Sequence, residues 1–279
     1  MTKLPARRPF PGTPELWKGN VDHFAGIVQR DTAKAPWTPP IAANIIDHAL
    51  ANAARRTLLD ARDPQIKAEL TAVACAAAAL FEAAATTAGT EVTVPHPSGG
   101  TVTITSTGLD PENADPIQWR RGLLAALVTR HAGAIGLLGK TPVETLRALA
   151  PNLPVWMMKE RPALQAIALR SPGAGAPVVE AAEAADPDKV ADQKDWVLDI
   201  VTPELQLGFA ALSHDQAHFD DWIVKAIKCH HHYYGRAEEK KNVHGQLALA
   251  PLAMACVAHD LGLQVPVESD YLPRWLITG

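Results

Sequence analysis

The chain has 279 residues, 47% apolar and 20% charged, with a formal net charge of -4; this composition excludes a disordered segment, and the length excludes a disulfide-stapled mini-domain. With 30 acidic residues against 26 Lys and Arg, there is no global positive field to condense on a phosphate backbone, so nucleic acid is not an expected partner. Alanine is the anomaly: 49 residues, about 18% of the chain, against 5% aromatics, a usage that favours helices packed over small side chains.

The stretch from Met1 to Pro11 carries Lys3, Arg7 and Arg8 but no apolar core of the kind a secretion signal needs. Pro14 to Gln29 follows with apolar residues at spacings of three and four, opened by Thr13 and by Pro14 at the first helical position. Thr38-Pro39-Pro40 opens a second helix that ends near Asp63-Pro64, and Ile66 to Thr87 forms a third, alanine-rich enough to sit at the centre of a bundle. Its apolar run Ala72 to Phe81 is about half the length a bilayer requires, so no membrane partner is expected. From Thr90 to Ser106 the period changes to alternation: Val92, Val94, Val102 and Ile104 flank Pro97-Ser98-Gly99-Gly100, which predicts one β-hairpin.

Helical spacing returns at Pro116 through Val128, and again at Thr141, where Pro142 and Glu144 suggest a capping box for a helix to about Ala150. Trp156 to Arg170 reads as a helix that Pro162 should start, kink or split. Residues 171–195 are rich in Ala, Pro, Gly and acids, the composition of an exposed loop or hinge. Helices follow at Trp196 to Asp199, Pro203 to Leu212, His214 to Tyr234 and, fully apolar, Gln246 to Leu261 closed by Gly262, with an extended tail after them. The expected fold is all-α with one small β-hairpin near residues 90–106. It forms a single domain, or two lobes, 1–170 and 196–279, joined by 171–195.

Candidate chemistry concentrates in Cys229-His230-His231-His232, with His214 and His218 upstream and His244 downstream. On a helical wheel His230, Tyr233 and Tyr234 share the apolar stripe, whereas His214, His218 and His232 lie on the polar side, so the histidines do not converge and no metal is expected. His214 and His218 supply two ligands at most, without the H-E-x-x-H glutamate, and they remain the residues of a metal-dependent alternative. No G-x-S-x-G, P-loop or G-x-G-x-x-G occurs. The pairs Asp220-Asp221 and Glu238-Glu239 point about 100° apart on a helix and read as solvated surface. Cys75, Cys229 and Cys256 are widely separated, which fits buried thiols in a reducing compartment. In the C-terminal segment, Tyr271, Leu272 and Trp275 read as core closure, with Ser269 or Asp270 capping a last helical turn.

The run Ala226 to Leu276 resembles the C-terminal half of the immunity protein 49 family of bacterial polymorphic toxin systems. The features that carry the likeness are Tyr233-Tyr234 at the end of a long helix, Gly245 before an apolar helix, Asp260 with Gly262, and the ending Glu268, Ser269, Asp270, Tyr271, Leu272, Pro273. Trp119 to Leu149 is similar more loosely, and family members often have tryptophan where Tyr234 stands. The resemblance implies a cytoplasmic protein without cofactor or catalysis that binds a cognate toxin and occludes it. The motif residues it marks are mainly structural. Toxins that attack nucleic acids are often basic, so the acidic stretch with Glu180, Glu183, Asp186 and Asp188 is the expected toxin-facing surface. Two rival expectations stand beside this one: a metal-dependent enzyme or binder built on the histidines, and an α-helical scaffold or adaptor.

Overall fold

The computed structural model describes residues 4–190 and 193–279. The fold is all-α with one two-stranded antiparallel sheet. The described chain gathers into two compact units, one formed by Thr13–Leu153 and the other by Pro154–Gly279 with the N-terminal stretch up to Gly12. The division falls at Leu153 and Pro154, not within 171–195.

The first unit begins with α1 (Pro14–Thr32), where Thr13 accepts a hydrogen bond from the Leu16 N–H and so caps the helix. It continues with α2 (Pro39–Leu59) and α3 (Gln65–Ala85). α3 packs against α2 on one side and α4 (Pro116–Thr129) on the other. Its alanines allow this: Gly122 of α4 meets Ala77 of α3 so closely that a Cβ on Gly122 would overlap the alanine methyl. By length and apolarity α3 would suffice to cross a membrane, yet most of its apolar stretch is buried inside the unit.

The hairpin forms as expected, β1 (Glu91–Pro95) pairing with β2 (Thr101–Thr105) in a register that sets Val94 opposite Val102 and Val92 opposite Ile104. Gly99 and Gly100 take positive φ in its turn. Trp37, fully buried, donates its backbone N–H to Thr103 O at 2.8 Å and locks the hairpin to the helices.

α4 opens with a complete capping box, Asp115 with Gln118. The box expected at Thr141 and Glu144 does not form: α6 (Val143–Leu149) starts after Pro142 with no side-chain cap. The Thr141 hydroxyl instead donates back to Leu137 O at 3.3 Å, because an unforeseen helix, α5 (Ala132–Gly139), ends just before it. Trp119, fully buried, seals that corner with an indole N–H bond to Leu138 O at 3.1 Å.

In the second unit α7 (Val155–Leu169) runs straight through Pro162 as one helix, with the Arg161 guanidinium donating to the Met157 carbonyl one turn back. The stretch read as a loop contains α8 (Gly175–Ala184), packed on α7. Its helical signal was hidden by composition: Ala174, Val178, Ala181 and Ala185 are buried at spacings of four, three and four. The short α9 (Lys194–Trp196) passes through a π-helical segment, Val197–Val201, into α10 (Thr202–Leu212) without a break. The cause is Pro203, which has no N–H for the carbonyl of Asp199; the chain widens to the i to i−5 pattern, with Thr202 N–H reaching Val197 O.

α11 (Gln216–Tyr233) is capped by Asp215, which accepts from His218 N–H at 3.0 Å. A 3₁₀ turn (Val243–Gln246) leads into the buried α12 (Leu249–Asp260), which ends at Gly262 with positive φ. Ser269 and Asp270 do not cap the last helix. Ser269 pairs with Leu272 in a tight turn, and α13 (Arg274–Thr278) begins after Pro273.

Candidate functional site

The motif residues converge on the C-terminal end of α11. His230 is buried, and its Nε2 donates to Gly245 O at 3.0 Å, since a carbonyl can only accept. Tyr234 and Tyr271 pack on its ring at 4.7 and 5.1 Å. Burial holds the imidazole neutral, its pKa pushed down to about 4. Gly245 has to be glycine here, because a Cβ would lie 2.6 Å from Cγ of Tyr234.

Around this core the N-terminal stretch forms a strap. The Arg8 N–H donates to the Tyr271 hydroxyl at 2.9 Å, and that hydroxyl donates in turn to His231 Nδ1 at 3.0 Å. The Arg8 guanidinium binds His231 O, in the last turn of α11, at 2.8 Å and Gly235 O, just past the helix end, at 3.3 Å, where the helix dipole is negative. It occupies the space that a Cβ on Gly235 would need. Arg7 N–H reaches Asp270 Oδ2 at 3.1 Å.

The other motif residues are distributed around this knot. Ser269 Oγ accepts from Tyr271 N–H at 3.2 Å, and Asp260 pairs with Arg170 at 3.4 Å. Glu268 is exposed. The arrangement ties helix ends, tail and strap together.

The histidines of the metal alternative are kept apart. His214 sits exposed at positive φ after α10, His218 is bonded to Gln206 Oε1 at 2.8 Å, and His232 is bonded to Asp199 Oδ2 at 2.7 Å. Among the described residues no group of three or more His, Cys, Asp or Glu side chains is placed to hold a metal ion.

Sequence reasoning missed Asp199, the hub of a second cluster. The π segment turns its carboxylate toward α11, where it receives His232 and Arg236, the latter at 3.4 Å. Arg236 also pairs with Asp195 at 2.8 Å and lies 4.5 Å from the centre of the Tyr233 ring. Proline four residues after an acid was the available signal. Burial and the neighbouring Asp199 push the Cys229 thiol up to about 11, so it stays protonated.

Cys75 is equally inert. The Ala134 N–H donates to His131 Nδ1, leaving the ring proton on Nε2, which faces Cys75 Sγ at 3.6 Å; the histidine cannot act as base, and burial lifts the thiol to about 12. Cys256 is buried and donates to Leu276 O at 3.4 Å.

The four acids named from sequence lie on α8 and the turn after it. Glu180 pairs with Lys159 at 2.8 Å and Asp186 with Lys189 at 3.4 Å. Glu183 and Asp188 are exposed, and among the described residues no cation neutralises either.

A family model described as Immunity protein 49 matches residues 47–276 of the chain, a span that takes in most of both units. No curated protein and no solved structure matches.

Proposed function

The chain belongs to the immunity protein 49 family, and from that premise we propose that it acts in the bacterial cytoplasm as an inhibitor that binds a cognate toxin and blocks it sterically, without catalysis of its own. The family match along both units carries this reading. The chemistry of the second unit supports it. His218, His230 and His232 are bonded to amide, carbonyl and carboxylate partners and the Cys229 thiol is held protonated, whereas Glu183, Asp188, Val155 and Val179 lie exposed, groups of the kind with which one protein recognises another.

The test is growth of cells expressing the C-terminal domain of the protein encoded beside this gene, with and without this chain. Relief of toxicity, together with a stable complex on gel filtration, is the expected result. Undiminished toxicity in the presence of soluble, folded chain would overturn the reading.

A further inference from the structure

Helix α8 stands as a ridge between two hollows. A groove of about 800 Å³ separates it from the start of α7, with Val155 and Trp156 in the wall. On its other flank lies a hollow of about 540 Å³ walled by Val179, Leu205 and Phe209. Glu183 borders both.

We infer that this ridge is the docking surface for a segment of the toxin that carries a lysine or arginine between two apolar side chains. The inference rests on the immunity reading above and adds to it the place of contact and the chemistry of what is bound.

Three independent observations point to that occupant. The first is charge: the ridge pairs Glu180 and Asp186 internally with Lys159 and Lys189, and the Lys189 ammonium reaches the Glu183 backbone carbonyl at 3.2 Å, but among the described residues no cation pairs with the Glu183 carboxylate itself. A carboxylate between two apolar hollows selects a positive side chain with apolar neighbours. The second is exposed apolar surface on both flanks, Val155 at 72% and Val179 at 45% exposure. The third is a donor without an acceptor: Trp156 is 2% exposed, and its indole N–H has no hydrogen-bond partner among the described residues. Buried donors are nearly always satisfied, and a backbone carbonyl of a docked segment is the acceptor this wall lacks.

The experiment measures affinity by titration calorimetry, with a catalytically dead C-terminal domain of the protein encoded beside this gene as the probe. Glu183→Lys should weaken binding by about 100-fold, and Val155→Glu and Val179→Glu by about 10-fold each, as desolvated anchors do. Trp156→Phe, which keeps the shape and removes the donor, should cost about 5-fold. Glu112→Lys, an exposed acid in the first unit, should leave binding unchanged.

If the wild type binds and rescues growth while Glu183→Lys, Val155→Glu and Val179→Glu, folded by circular dichroism, bind within about 2-fold of it, the ridge is not the docking surface and the immunity reading survives. Absence of wild-type binding removes both. A chain that dimerises alone by sedimentation, and is made monomeric by Glu183→Lys, assigns the ridge to a second copy and overturns the inference. Should Trp156→Phe fail to fold, the three substitutions at exposed positions decide the matter.

Discussion

Two buried side chains set the response of the protein to pH, in opposite senses. His230 is held neutral, its pKa about 4 in the fold. Protonation therefore favours the unfolded chain, and this residue's contribution to stability is present above the ordinary histidine value and lost as pH falls toward 4, in total about 3 kcal/mol. The melting temperature should drop between pH 6.5 and 4, and His230→Gln, which keeps an N–H for Gly245 O, should flatten that part of the profile.

Glu69 behaves in the opposite way. It is buried on α3, accepting from Asn52 Nδ2 at 2.7 Å and from Arg56 at 3.4 Å, and desolvation raises its pKa in spite of both. Among the described residues its Oε2 and the Asn52 Oδ1 have no donor, so a proton on the carboxyl serves a pair otherwise short of one. A raised carboxyl stabilises the fold below its unfolded value, and that contribution disappears as pH rises through the folded one. Glu69→Gln should accordingly remove a fall in stability on the alkaline side of the ordinary glutamate range, whereas Asn52→Ala should cost about 2 kcal/mol at neutral pH by leaving the carboxyl with fewer donors. Urea unfolding across pH separates the two outcomes. None of these pairings was legible in the sequence, because Asn52 with Glu69 and His230 with Gly245 become partners only when separate elements pack.

At the scale of elements, what the sequence encoded locally appeared where expected. Thr13 with Pro14, the alternating valines around Gly99-Gly100 and the glycine after α12 are signals carried within a few residues. The failures share one cause, a local signal outvoted by a neighbour. Thr141 looked like a cap until α5 claimed its hydroxyl, and α8 was masked by a composition that resembles a linker. Pro162 was tolerated inside α7, and Pro203 produced a π segment in place of a break. The contact of Gly122 with Ala77 is an element-level property that can be measured. Gly122→Ala should separate α3 from α4 and destabilise the first unit by about 2 kcal/mol by denaturant titration, although alanine is the better helix former.

For the whole molecule, the excess of acids over bases predicts how it meets the proposed toxin. On the proposed reading, the net charge of -4 and Glu183 and Asp188, whose carboxylates no cation pairs among the described residues, should steer association with a basic toxin electrostatically. Stopped-flow association should slow about 10-fold between roughly 50 and 500 mM salt while dissociation changes little; an on-rate indifferent to salt would rule out steering.

By itself the sequence determined that this chain is helical with one hairpin, that Cys75 and Cys256 sit in apolar helices, and that its C-terminal motif resembles one family. Those properties follow from periodicity and short spacing, which are local. Only tertiary structure decided that the motif residues meet around His230 under the strap of Arg8, that Asp199 gathers His232 and Arg236, and that a linker-like stretch folds as a ridge between two hollows. The physical reason is that such contacts join residues tens or hundreds of positions apart: their energies come from burial and from satisfying polar groups in the packed interior, and neither quantity exists until the elements have met.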